Sequence, residues 1–163
     1  MQPAAPERHA FVSGLRAELS GFRELQQILQ AEQDCLLRAD VQALVDLTVI
    51  KSRQLELLKA LGALRAGYLH SLSLAPDRCG MAQWLVVHVG AEKTQLAALW
   101  EQLLDTATAA RALNDSNGGL IGARLNHNQD ALAALQSAAR SLSTYGPDGQ
   151  AQLPAGQREL GRA

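Results

Sequence analysis

The chain has 163 residues, with 15 Lys and Arg against 16 Asp and Glu, and is 47% hydrophobic but only 4% aromatic. That length fits one modest domain and excludes a multidomain machine. A net charge of -1 removes the positive field that a phosphate backbone or an anionic lipid surface attracts, so neither nucleic acid nor a membrane surface is an expected partner.

Leu (29) and Ala (28) dominate, while Val, Ile and Thr together fill 15 positions. With strand formers this scarce, the expected fold class is all-α: an elongated antiparallel helical bundle with long coiled-coil-like helices. The first nine residues, Met-Gln-Pro-Ala-Ala-Pro-Glu-Arg-His, lack the basic segment and apolar run of a leader. No later stretch approaches 18 uninterrupted apolar residues, so no stable membrane insertion is expected and the chain reads as cytoplasmic.

Proline stands only at positions 3, 6, 76, 147 and 154, which leaves 7–75 and 77–146 without a ring to interrupt helix hydrogen bonding. In the first span Phe11, Leu15, Leu19, Phe22, Leu25, Leu29 and Leu36 recur at steps of three, four or seven, one face of a first helix. Arg16, Glu24, Glu32 and Arg38 fall mainly off that face, and Glu18, Glu24, Glu32, Asp46 and Glu56 read as solvated surface charges. Asp40 is placed to cap a second helix, whose apolar stripe runs through Val41, Leu44, Leu47, Leu55, Leu58, Leu61, Leu69 and Leu72. Two helices of about 30 residues, each roughly 45 Å long, then form an antiparallel hairpin around Ala39 and Asp40; the alternative is one continuous helix through Asp40.

Residues 73–80, with Pro76, Asp77 and Gly80, mark a connection. The apolar run from Met81 to Val89 suits a buried helical turn or two, closed by Gly90. From about Ala91 a longer helix carries Leu96, Leu99, Trp100, Leu103, Leu113, Leu120, Ile121, Leu125, Leu132, Leu135 and Leu142 at helical spacing. Asn117-Gly118-Gly119 in its middle marks either a break between two helices or a place where a neighbouring helix passes close. Beyond Thr144 the chain turns Gly- and Pro-rich, so the expected organisation is a single helical domain over 1–144 and a flexible tail over 145–163.

The usual phosphate, dinucleotide, metal and acyl-transfer signatures are missing, so no enzymatic activity and no cofactor is expected. The four histidines, His9, His70, His88 and His127, include no i, i+4 pair, which argues against a metal site. His70, near a helix end, raises the alternative of a helical phosphotransfer signalling module, but Ser71, Leu72 and Ser73 follow it where such modules have a basic residue and a glycine. Cys35 and Cys79 lack ligand spacing and read as small apolar fillers. Charge is uneven: residues 7–72 hold 16 charged side chains in 66 positions, against 9 in 54 for residues 91–144. A lightly charged, Ala- and Leu-rich helix buries more than one face, either in its own core or against another protein.

The segment Asn114-Asp-Ser-Asn117-Gly118-Gly119-Leu120-Ile121, with Trp100 and Leu103 before it, Arg124, Leu132 and Leu135 after it, and Tyr145-Gly146-Pro147-Asp148-Gly149-Gln150 closing it, resembles the FlgN family of flagellar type III export chaperones. The leucine, acidic and lysine spacing of Leu25, Leu29, Glu32, Asp40, Leu44, Leu47, Lys51, Leu55, Leu58 and Leu61 is similar in manner, and the resemblance spans about residues 10–150. It implies a small cytosolic helical protein that binds the C-terminal helices of the hook–filament junction proteins FlgK and FlgL, prevents premature assembly and delivers them to the export gate. The low charge of the C-terminal helix together with the family motif points to Leu103, Leu113, Asn117, Leu120, Ile121, Leu125, Leu132 and Leu135 as partner-binding residues, the alternative being that these leucines are all internal core. Tyr145, one of two tyrosines and placed where the periodic helix gives way to the Gly- and Pro-rich tail, is expected to dock on a component of the gate, the alternative being a ring folded back to cap the bundle. The rival from the same helices is a structural coiled-coil adaptor with no export client.

Overall fold

A computed structural model describes residues 5–88 and 92–144. They form four helices, α1 (Ala5–Arg38), α2 (Val41–Ser71), α3 (Arg78–His88) and α4 (Lys93–Thr144), and no strand occurs among the described residues. The all-α expectation holds. The chain divides into two compact units, Met1–Leu120 and Ile121–Ala163, and the expected tail over 145–163 lies outside the described residues.

The hairpin turns where Ala39 and Asp40 place it. Ala39 takes a left-handed φ of 61°, and the Asp40 and Ala39 N–H groups donate to the Cys35 and Leu36 carbonyls at 3.0 and 3.4 Å. These two bonds satisfy carbonyls that the end of α1 would otherwise leave orphaned. Asp40 then caps α2, its carboxylate accepting the Ala43 N–H at 3.1 Å. The other end of α2 closes in the same way, with Ser73 at φ 59° and the Leu74 N–H on the Leu69 carbonyl at 2.9 Å.

In the first unit the larger buried cluster joins Phe11, Leu15 and Leu19 of α1 to Leu69 of α2, Met81 and Trp84 of α3, and Leu96, Trp100 and Leu103 of α4. Phe11 stacks on Tyr68 at 4.2 Å and tilts against Trp84 at 4.8 Å. Burial pushes the Tyr68 phenol above its ordinary value, so this cluster stays neutral at physiological pH. A smaller cluster of Leu25, Leu29, Leu58 and Ala110 continues the same α1 face.

Several readings of the sequence are corrected here. Glu18 and Glu32 are buried rather than solvated, because they occupy the three-four repeat Leu15, Glu18, Phe22, Leu25, Leu29, Glu32, Leu36 on the inner face of α1. Each receives a cation from α2: Arg65 Nε lies 2.9 Å from Glu18 Oε2, and Lys51 Nζ lies 2.9 Å from Glu32 Oε2. α4 touches both pairs, Asn117 Nδ2 donating to Glu32 Oε2 and to the Leu29 carbonyl at 2.8 Å while the Arg65 guanidinium stands 5.3 Å from the Trp100 ring centroid. Val41 and Leu55, assigned to the buried stripe of α2, are exposed; the inner positions are Lys51, Gln54, Leu58, Leu61 and Arg65. Cys79 is exposed too, so only Cys35 is a buried filler.

The Asn117-Gly118-Gly119 triplet is neither a break nor a close approach. α4 runs through it as helix, and a Cβ on Gly118 or Gly119 would meet nothing within 4 Å. The close approach lies at Gly21, where a Cβ would come within 2.9 Å of Leu58 Cδ2 and where the backbone carbonyl accepts a hydrogen bond from Gln54 Nε2 at 2.8 Å.

Two stability changes of opposite sign follow. Lys51→Met strands the buried Glu32 carboxylate and lowers unfolding stability in urea by about 3 kcal/mol, most of it recovered when Glu32→Leu is added. Gly118→Ala raises stability by up to about 1 kcal/mol, since it improves helix propensity without a clash.

Candidate functional site

The residues that the sequence singles out on α4 separate by burial. Leu103 is buried in the larger cluster, Leu113 is half-buried against the smaller one, and Asn117 is fully buried on Glu32 and Leu29. Leu120 is half-buried. Ile121, Leu125, Leu132 and Leu135 are instead 48%, 56%, 57% and 69% exposed. Tyr145 lies outside the described residues. Thus one periodic series provides packing for the first unit up to residue 120 and an open apolar stripe from residue 121 onward.

That stripe has the geometry of a helix-binding surface. Ile121 to Leu135 spans 14 residues, about 21 Å at the helical rise, and steps of four, seven and three keep its members on one side of the helix. Every described side chain from 121 to 140 is exposed except the half-buried Arg124. A row of large aliphatic side chains left in water, interrupted once at Asn128, is the kind of surface that marks an association site.

Other apolar surface is open in the first unit, including a row on α2, Ile50, Leu57 and Leu64, that spans the same 14 residues. A groove of about 300 Å³ between α1 and α2 is lined by Phe11, Leu15, Leu61, Leu64 and Tyr68, with Glu7 and Arg65 among its lining residues; its volume suits one or two large side chains. Val41, Val45 and Val49 are exposed on α2 and cover only about two turns. The stripe on α4 lies on a segment whose side chains are exposed almost throughout, and its size suits one face of a partner helix.

His70 is exposed on the last turn of α2, and among the described residues no group of three His, Cys, Asp or Glu side chains is arranged to hold a metal ion. No helix among the described residues is long and apolar enough to cross a membrane.

Comparison with known proteins shows the family to which the chain belongs. The family model described as "FlgN protein" matches residues 1–152. Two curated relatives, both called flagella synthesis protein FlgN, come from Yersinia enterocolitica and from its serotype O:8 / biotype 1B; each is 29% identical over 150 residues, covering 92% of this chain and 92% of the relative. No solved structure matches the chain.

The burial pattern gives a direct test. The pair Leu132→Asp and Leu135→Asp leaves the helical circular dichroism signal intact and unfolding stability within about 0.5 kcal/mol per site, as surface substitutions do. Leu103→Asp, which buries an unpaired charge in the larger cluster, abolishes the cooperative transition.

Proposed function

We propose, since this chain belongs to the FlgN family, that it is a cytoplasmic flagellar export chaperone whose open stripe on α4 receives the C-terminal helices of the junction proteins FlgK and FlgL. Covering those helices prevents premature assembly, and the loaded chaperone carries them to the type III export gate. The observation that supports this most directly is the exposure of Ile121, Leu125, Leu132 and Leu135 along four turns of helix. Leu103 and Asn117 serve the fold behind it, while Leu113 and Leu120 are half-buried at its start.

Energetics set what the stripe does alone. Its four aliphatic side chains are already between about a third and a half covered, so completing the burial contributes roughly 1 kcal/mol per side chain. About 4 kcal/mol does not offset the cost of association. The client's own apolar face supplies the balance, so a single buried helix rather than an extended peptide is the natural cargo. Tyr145, where the helical periodicity ends, is the proposed docking residue for the gate; a large ring with few rotatable bonds is captured at small entropic cost.

The reading is tested with purified FlgK and FlgL. Leu132→Asp combined with Leu135→Asp reduces capture of either protein at least about a hundredfold with melting unchanged; undiminished capture would refute the assignment of the stripe. Wild-type affinity changes by less than about tenfold as the Debye length falls from about 30 to 10 Å, because the contact is apolar. Tyr145→Ala leaves client capture and melting unchanged while weakening binding to the cytosolic part of the gate.

A further inference from the structure

The stripe on α4 is not wholly apolar. Ile121, Leu125, Asn128, Leu132, Leu135 and Ala139 follow one another at alternating steps of four and three, the spacing of a coiled-coil seam. Asn128 is the one polar member of this series. It is exposed in the free chain and stands midway between two aliphatic pairs.

The positions flanking the seam sharpen its role. Along the seam they are Gly122, Arg124, Gln129, Ala131, Gln136 and Ala138, with Arg124 at its start as the one charge. Interhelical salt bridges across such flanks normally fix which partner binds and in what alignment. Past Arg124 the flanks are neutral, so around Asn128 and beyond it charge does little to discriminate one alignment from another. An aliphatic seam also tolerates sliding by a turn or by a heptad, since each shift exchanges one apolar contact for a similar one.

We infer that Asn128 fixes the register of the bound client helix by hydrogen bonding to a single amide or hydroxyl side chain on that helix's otherwise apolar face. The inference rests on the client reading given above and adds a requirement on the client's chemistry. A client lacking the polar side chain leaves the Asn128 amide buried and unpaired, which weakens binding about 5- to 150-fold. A client carrying it at the wrong level suffers the same loss twice. The matched alignment alone pairs both groups, so one polar residue in an apolar seam trades affinity for a unique alignment.

The test uses the full chain with a photo-crosslinker placed at Gln136, on the edge of the seam, and purified FlgK or FlgL as the probe. Crosslinks from the otherwise unaltered chain fall on one level of the client helix. Asn128→Leu leaves the client's polar side chain unpaired at every level, so it binds more weakly than the unaltered chain and its crosslinks spread over levels three, four or seven residues apart. Asn128→Ala, which removes the amide without adding apolar bulk, binds at least about fivefold more weakly because the client's polar group loses its partner. Asn128→Leu crosslinks confined to the original level would overturn the inference, as would an Asn128→Ala chain of undiminished affinity. So would an Asn128→Leu chain that merely self-associates while the client alignment stays single, since the amide would then serve only to keep the free stripe soluble. A wild-type chain that captures neither protein overturns the client reading itself, a separate outcome.

Discussion

Two buried carboxylates organise the first unit. Glu18 and Glu32 lie 14 residues apart on α1, and their cations, Arg65 and Lys51, lie 14 apart on α2, so one antiparallel alignment satisfies both pairs at once. Sliding the hairpin by a turn would leave four charges mispaired in a largely apolar seam. Removing one member of such a buried pair costs several kcal/mol, whereas replacing the whole pair by apolar residues is close to neutral. What these pairs contribute is therefore alignment more than net stability. α4 is fixed by the same groups, through Asn117 on Glu32 and Trp100 beneath Arg65.

The sequence made much of this architecture visible, and its failures have a physical cause. The α1 face, the Asp40 cap, the hairpin turn and the helix at Met81 were all legible from residue type and spacing. The buried charges were not, because a search for apolar residues steps over Glu18, Glu32, Lys51 and Arg65 and substitutes the nearest leucine. On α2, skipping Lys51 brought Leu55 into the stripe, where the structure exposes it. The usable signal was the unbroken three-four rhythm, which includes the charged positions, together with the equal 14-residue separations on the two helices. Pairing across a seam cannot be read from one helix at a time.

On α4 the ambiguity was of another kind. Leucines at helical spacing read alike whether a neighbour covers them or water does, so Leu103 and Leu132 belong to one periodic series although the first is 3% and the second 57% exposed. Spacing reports which side of a helix is apolar and is silent on whether anything lies against it. Gly118 and Gly119 misled for a related reason. Their lack of a side chain suggested a close neighbour, and the helix there has open space instead.

Low charge on the C-terminal half was read as a sign of burial on several sides, and the exposed segment supplies a different reason for it. A helix whose side chains are in water gains little from tertiary packing and must persist on intrinsic propensity and length. Residues 121–144 include Ala123, Ala131, Ala133, Ala134, Ala138 and Ala139, the residue with the highest helix propensity. These alanines offset Gly122, Asn126 and Asn128, and they do so without long side chains that would fill the space beside the seam. Lysines and glutamates would support the helix nearly as well. They would also place flexible charged groups over Leu125, Leu132 and Leu135, each of which a partner would have to displace at a cost in desolvation and side-chain ordering. Alanine keeps the helix formed and its apolar row uncovered at the same time, and both conditions must hold before a second helix can settle there.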